Sequence, residues 1–545
     1  MNNRSLYFGD NLEVLREKFP GNEGYFDLIY LDPPFNSNRN YNVLFKEGLV
    51  DSEAQTHAFE DSWHWTHEAQ AEFDHLVTNT NEAISNLVLA LEKIVGHNDV
   101  LAYLTMMTVR LFELHRVLKP TGSIYLHCDP TASHYLKIVM DTIFGKENFQ
   151  NEIIWKRTSA HNSAKRYGPV HDVIFFYSKS TKFSWNTQHS TYDDTYLEQY
   201  YRHTDATGRR YRLSDLTGSG TRNGETGDVW RDVDVTNRGR HWMVPPSELD
   251  KLDAEGRIYW PAKGEMPAYK RYLDEMPGVV LQDVWTDIKP IGAQAAERLG
   301  YPTQKPEELL MRIVTSSSNE GDWVLDPFCG CGTTVAAAEK LRRNWVGIDV
   351  SMLAVKLIER RLVKQYPELK DKIYINGLPK DIAGAKALFA ADPWDFEYWV
   401  AVHLLDARPP AGKSKDNMKG ADKGIDGIIT LITDTQNGQM QYGKVIVQVK
   451  GGHVTRSQVS TLISDVMRDK ALSGVFVSLE KPTSPMKQEA ATAGTTRTSV
   501  GEFPKIQLLT VEELLSGKRA NLPGMVSPYK QALAFQATIN QTSLL

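Results

Sequence analysis

The stretch Asp326-Pro327-Phe328-Cys329-Gly330-Cys331-Gly332-Thr333-Thr334 decides the fold of this chain. It follows a short apolar run, 323–325, that reads as a buried strand, and it leads into a helical pattern over 333–341. A small, glycine-rich turn between strand and helix belongs at the carboxyl edge of an open α/β sheet, where ligands bind. A second segment of this kind lies far upstream. The apolar run 26–31 ends at Asp32-Pro33-Pro34-Phe35, where two prolines fix the turn after the strand. Both segments can face one crevice, and each reads as half of one site.

Outward from these turns, strands alternate with helices over 5–34, a helical stretch runs to Val117, and a strand at 123–127 precedes a helix at 131–143. That alternation predicts a parallel sheet. The regularity breaks between about 155 and 302 into short strands, turns and clustered arginines, and it returns from 307 to 363. The expected architecture is α/β: a doubly wound, Rossmann-like sheet with an inserted recognition region, followed by a second, smaller α/β domain. The expected divisions are 1–154, 155–300, 301–385 and 386–545.

The 545 residues are 41% hydrophobic and 24% charged, with a formal charge of −6, which gives no global electrostatic reason to bind nucleic acid, so any such affinity must come from local basic surface. Such surface is offered by Lys156, Arg157, Lys165, Arg166, Arg202, Arg209, Arg210, Arg212, Arg222, Arg231, Arg238 and Arg240, interleaved with aromatics. No apolar run is long enough to cross a bilayer. With three cysteines and no signal-peptide pattern at 1–7, a reducing cytoplasm is the expected location.

Phe328-Cys329-Gly330-Cys331-Gly332 has the F-x-G-x-G form found in S-adenosylmethionine-dependent methyltransferases, and Asp349, after the next strand, is placed to accept hydrogen bonds from ribose hydroxyls. Asp-Pro-Pro-Phe suits methylation of an exocyclic base amine: Asp32 and the Pro33 carbonyl accept its hydrogens, and Phe35 stacks on an extruded base. Over roughly 5–380 the chain resembles the DNA amino-methyltransferases of N6-adenine or N4-cytosine, in the beta arrangement of their motifs. Gly9-Asp10, His127-Cys128-Asp129 and Tyr301-Pro302-Thr303-Gln304-Lys305-Pro306 add to the resemblance. It implies S-adenosylmethionine held by Asp10, Thr303, Gln304, Lys305, Asp326, Phe328, Gly330, Gly332, Thr333 and Asp349, with catalysis by Asp32, Pro33, Pro34 and Phe35. Thr303 to Lys305 are expected at the methionine end and Asp10 near the adenine, where an N-cap role competes. Asp rather than Ser at position 32 favours adenine. C5-cytosine methylation needs a cysteine nucleophile in a context absent here.

Past residue 390, Glu397 on a helix, Asp426 before a strand, and Gln448 and Lys450 ending the next strand fall into a spacing suited to metal-assisted phosphodiester hydrolysis. Residues 390–515 resemble the PD-(D/E)xK nucleases, specifically their Mrr-type restriction endonucleases, in which Gln can replace the acidic residue before x-Lys. The resemblance implies Mg²⁺ at Asp426, Glu397 and Gln448, with Lys450 positioning water. The leading expectation is a methyltransferase fused to a restriction nuclease acting on double-stranded DNA, with a homodimer suited to double-strand cutting. The competing one is a methyltransferase whose nuclease-like domain is inactive and binds DNA or a partner.

Overall fold

The computed structural model describes residues 2–34, 39–47, 50–61, 65–158, 165, 167–262, 266–292, 295, 297–299, 301, 303–410, 424–436, 439–498, 501–522 and 525–526. Phe35, Arg166 and Pro302 lie outside the described residues.

The main sheet is built from nine strands: β1 (Ser5–Phe8), β2 (Phe26–Leu31), β3 (Leu118–Cys128), β4 (Phe149–Lys156), β5 (His171–Ser178), β6 (Val284–Trp285), β7 (Trp323–Asp326), β8 (Asn344–Asp349) and β9 (Tyr374–Asn376). Their spatial order is β6-β4-β5-β3-β2-β7-β8-β1-β9. Only β5 runs against both of its neighbours; the other pairings are parallel. All six residues of β2 are buried, which is why its sequence is continuously apolar apart from Asp27. Asp27 is held there by Lys119 Nζ and by the backbone N–H of Trp323, each donating to its Oδ2.

The central strands β2 and β7 are neighbours that leave the centre in opposite directions: β2 leads to β3 on one side, and β7 leads to β8 on the other. Their carboxyl ends therefore flank a topological switch point, the crevice where doubly wound sheets bind ligands. The register pairs Leu325 with Ile29, Asp326 with Gly347 and Phe8 with Asp349, which brings Asp32, Asp326, Asp349 and Gly9 to one edge.

The chain divides into two compact units, one of residues 1–186 and 283–545 and the other of residues 187–282. Of the expected insert over 155–300, β5 and β6 therefore extend the main sheet, and 187–282 alone forms a separate body. That body holds a four-stranded antiparallel sheet, Ile258–Tyr259, Ala268–Tyr272, Arg210–Asp215 and His203–Thr204, and a core around Trp230, Val235, Trp242 and Leu249.

The carboxyl-terminal sheet lies in the first unit. It orders β13 (Ile506–Thr510), β12 (Ser473–Ser478), β11 (Gln439–Lys450), β10 (Gly427–Gln436) and β14 (Met525–Val526). A helix at Arg456–Arg468 connects the parallel strands β11 and β12. A further helix, Pro393–Tyr398, continues into a π-helical turn, Trp399–Leu404, which sets Phe396, Trp399, Val400 and Ala401 into the core of this sheet.

Candidate active site

A cavity of about 520 Å³ opens at the crevice between β2 and β7, within the range of about 300–1,000 Å³ usual for small-molecule sites. It is lined from the first motif by Asp32, Pro33 and Pro34, and from the second by Asp326 to Cys331, Thr333 and Thr334. The two strand-end segments thus meet in one pocket, joined by Asp10, Thr303, Gln304, Lys305 and Asp349.

The glycine-rich turn is shaped by two left-handed residues, Gly330 at φ +49° and Gly332 at φ +74°. A Cβ on Gly332 would come within 2.6 Å of Ile358, so this glycine lets the start of the helix Thr333–Lys340 approach the helix Met352–Gln365 closely. The backbone N–H of Gly330 instead donates to Asp349 Oδ2 at 2.7 Å, while Asp349 Oδ1 accepts from Ser351 N at 2.8 Å. Burial pushes the Asp349 carboxyl up to about 6 and the Asp326 carboxyl up to about 7.

Asp10 caps the helix Asn11–Lys18: its Oδ1 accepts from the backbone N–H of Leu12 and Glu13, and its Oδ2 accepts from Arg110 Nη2 at 2.6 Å. Asp10 is thus a helix cap that also lines the pocket. Arg110, buried on the helix Asp99–Val117, also donates to Asn11 Oδ1, and Asn11 Nδ2 reaches the Pro327 carbonyl. This chain of contacts ties the first strand's turn to the second motif.

The Thr303-Gln304-Lys305 segment divides its labour. Gln304 spends its amide on the Leu299 N–H and the Glu297 carbonyl, which closes its own loop. Thr303 sits at φ +59°, a strained position for a β-branched residue. Lys305 reaches away from the loop and donates to Asp32 Oδ2 at 2.5 Å. The other oxygen of that carboxylate, Asp32 Oδ1, is buried without a hydrogen-bond partner among the described residues.

Behind Asp32, Tyr30 Oη and His127 Nδ1 share a hydrogen bond of 2.8 Å, and His127 Nε2 faces Asp172 Oδ2 at 3.1 Å. Arg157 closes this buried line on Asp172 at 2.9 Å, so its guanidinium is committed to the fold. Asp129 caps the helix Pro130–Phe144. Tyr30, Asn11, Arg110, Tyr301 and Asp395 also line the pocket. Among these, Tyr301 stood in a motif quoted from the sequence and Tyr30 and Asn11 lay beside motifs, whereas Arg110 and Asp395 carried no signal there.

The carboxyl-terminal residues converge only in part. Lys450 Nζ lies 3.7 Å from Glu397 Oε1 and 3.9 Å from Asp426 Oδ2, and Asp426 Oδ2 also accepts from the Val449 N–H at 2.6 Å. Gln448 points elsewhere. Its Nε2 donates to Asp465 Oδ2 at 3.0 Å on the buried side of the sheet, and Asp465 is in turn paired with Arg468. Side chains alternate along a strand, so Gln448 and Lys450 share a face, but the helix Arg456–Arg468 supplies Gln448 with its own partner. Among the described residues no group of three or more acidic, histidine or cysteine side chains gathers that fits a metal ion. Of the expected Mg²⁺ set, Asp426 and Glu397 lie beside the same lysine, whereas the Gln448 amide is bonded to Asp465.

A family model described as DNA methylase matches residues 26–360, and the chain belongs to that family. A model described as NACHT-associated inactive restriction endonuclease matches residues 412–516. The chain is 38% identical over 261 residues to the Type II methyltransferase M.EcaI of Enterobacter cloacae, covering 48% of this chain and 57% of that protein. It is 26% identical over 358 residues to the Type III restriction-modification enzyme StyLTI Mod subunit of Salmonella typhimurium, covering 63% of this chain and 51% of that one. The chain thus spans between half and three fifths of these relatives' length. The solved PvuII DNA methyltransferase (cytosine-N4-specific) overlaps 69% of this chain and 96% of its own at 14% identity and a TM-score of 0.31, a superposition too loose to bear on the site.

Proposed function

We propose that the protein transfers a methyl group from S-adenosylmethionine to an exocyclic amine of a DNA base, N6 of adenine before N4 of cytosine, and that its nuclease-like domain does not cleave. The carrying observation is Asp32: one oxygen is fixed by Lys305, and the other is buried, unpartnered and at a cavity wall. A buried acceptor without a donor is costly, and the N–H of an inserted base amine would satisfy it.

The pocket fits the cofactor by chemistry as well as size. Asp349 and Asp10 offer carboxylates to hydroxyl and amine donors, and the turn at Gly330 keeps the backbone close to the cavity. Bound S-adenosylmethionine supplies an electrophilic methyl group on a sulfonium. Asp32 Oδ1 accepts one amine hydrogen and the Pro33 carbonyl accepts the other, which localises the nitrogen lone pair for attack. The nitrogen gains a bond to the methyl carbon as the carbon–sulfur bond breaks, the bonding pair leaving with sulfur as a neutral thioether, and the nitrogen releases one proton, for which Asp32 Oδ1 is the adjacent acceptor. Stacking by Phe35 belongs to this proposal from the sequence alone.

For the carboxyl-terminal domain, the reading rests on Gln448 and on the match to a model named inactive. A role in restriction-modification and a DNA substrate complete the proposal, supported by the names of the methyltransferase relatives. The test combines the protein, labelled S-adenosylmethionine and DNA of varied sequence, followed by mass analysis of the nucleosides. N6-methyladenine made by wild type and lost in Asp32→Ala supports the reading. Methylation that survives Asp32→Ala, or an absence of methylated base with wild type, overturns it.

A further inference from the structure

The helix Pro393–Tyr398, with its π-helical continuation, has two buried faces that serve different domains. Phe396, Trp399, Val400 and Ala401 pack on Ile429, Leu431, Val445 and Val447 of the carboxyl-terminal sheet. Val402 lies in a second cluster with Tyr301, Cys331, Leu353 and Leu357 around the glycine-rich turn, and Tyr398 packs against both clusters. Asp395, one turn before Tyr398 and Trp399, lines the methyl-transfer cavity. Asp406, just past the same helix, is held by Lys356 at 3.8 Å and Arg360 at 3.5 Å from the methylase side. A single rigid element therefore forms part of the smaller domain's core and part of the cofactor pocket's wall.

The acceptors expected from the methylase motifs are already partly engaged. Asp10 receives two backbone N–H groups and Arg110, and Asp349 receives Gly330 N and Ser351 N. S-adenosylmethionine brings many donors: two ribose hydroxyls, the adenine amine and the ammonium, together with a positive sulfonium. Asp395 adds a carboxylate to a wall that already holds Asp10, Asp32, Asp326 and Asp349, and so matches that surplus of donors and positive charge.

We propose that Asp395, carried by the helix Pro393–Tyr398 of the carboxyl-terminal domain, is a cofactor-binding residue of the methyl-transfer site. The proposal rests on the S-adenosylmethionine reading given above. It assigns the nuclease-like domain a task that needs no cleavage: it completes the pocket, and its seating and cofactor occupancy become linked equilibria.

The test is calorimetric titration of S-adenosylmethionine into the full chain without DNA, for wild type, Asp395→Asn, Asp395→Ala and the control Asp349→Ala. Thermal melts of each variant without cofactor check folding. Asp395→Asn, which keeps size and loses charge, is expected to bind at least five-fold more weakly with an unchanged melt, and to raise KM for the cofactor while leaving kcat near wild type. Equal affinity of wild type and both Asp395 variants, with Asp349→Ala weakened, overturns this inference and leaves the cofactor reading intact. No heat from wild type with S-adenosylmethionine overturns the reading on which it stands. A weakening confined to Asp395→Ala and accompanied by a lowered melt assigns the residue a structural role and also overturns the inference.

Discussion

Lys305 Nζ lies 2.5 Å from Asp32 Oδ2, although 273 positions separate the two residues in the chain. The pair joins the segment preceding the glycine-rich turn to the Asp-Pro-Pro turn, and it leaves Asp32 Oδ1 without a hydrogen-bond partner among the described residues. Both side chains are mostly buried, at 10% and 16% exposure, so screening by salt is weak.

Lys305→Ala is accordingly expected to lower kcat more than it raises KM for S-adenosylmethionine. A loss of about 10²-fold is the scale for a misplaced catalytic group. Lys305→Arg is expected to recover part of it. Steady-state methylation with each substrate varied checks this. A variant that changes only the cofactor's KM would place Lys305 at the methionine end, as the sequence resemblance implied, and would remove its role in orienting Asp32.

A second expectation concerns pH. Burial holds the Asp326 carboxyl at about 7 against an ordinary value of 3.8, so the folded state retains a proton that the unfolded state has lost. Stability from this group is complete below about pH 4 and falls as pH rises through about 7. Asp326→Asn keeps an oxygen for the Phe328 N–H and removes the charge. The cofactor-free variant should melt higher than wild type at pH 8, by up to about 4 kcal/mol at roughly 1.4 kcal/mol per pKa unit. The gap should close toward pH 4, as melts across that range will show; a gap that widens on acidification is inconsistent with this assignment.

These residues show how far the sequence could be read. The strands β2, β7 and β8 were legible because burial on both faces leaves continuous apolar runs, and the two motifs declared themselves by following them. The roles of Lys305 and Arg110 were not legible, since an ion pair across 273 positions leaves no local pattern. Asp395 was hidden for a different reason. It belongs by sequence to another domain, and it joins the pocket only because its helix has two buried faces. Gln448 was read by analogy of spacing, whereas its partner Asp465 is decided by how a helix packs on the sheet.

The arginines of the 187–282 unit divide in the same manner. Arg209 pairs with Asp274 and Glu275, Arg231 with Asp253, Arg240 with Asp215, and Arg210 donates to backbone carbonyls. Arg222 and Arg238 are exposed and form no ion pair among the described residues. Arg222→Ala and Arg238→Ala should weaken DNA binding and each reduce the slope of log affinity against log salt by about 1. Arg209→Ala should instead lower the melting temperature with the slope unchanged. Fluorescence anisotropy over a salt series separates them, and an unchanged slope for both exposed arginines would exclude their contact with phosphate.

The nuclease-like cluster gives the final prediction. Gln448 is 3% exposed and donates to Asp465 Oδ2 at 3.0 Å. If the domain were a nuclease needing only an acidic residue before x-Lys, Gln448→Glu would complete its ligand set. The surroundings argue otherwise, because a glutamate there loses the donor and faces the Asp465 carboxylate, whose other oxygen is taken by Arg468. Two buried carboxylates at such a distance cannot both ionise cheaply, so one must be pushed up and take a proton. The variant is expected to lose about 1–3 kcal/mol at pH 8, the scale of an unsatisfied buried hydrogen-bonding group. Part of that loss should return near pH 5, where one carboxyl is protonated. With Mg²⁺ and unmethylated DNA, neither wild type nor Gln448→Glu should cut, and methylation should persist in both. Mg²⁺-dependent cleavage by either protein would show that Glu397, Asp426 and Lys450 form a working nuclease site and would overturn the non-cleaving assignment.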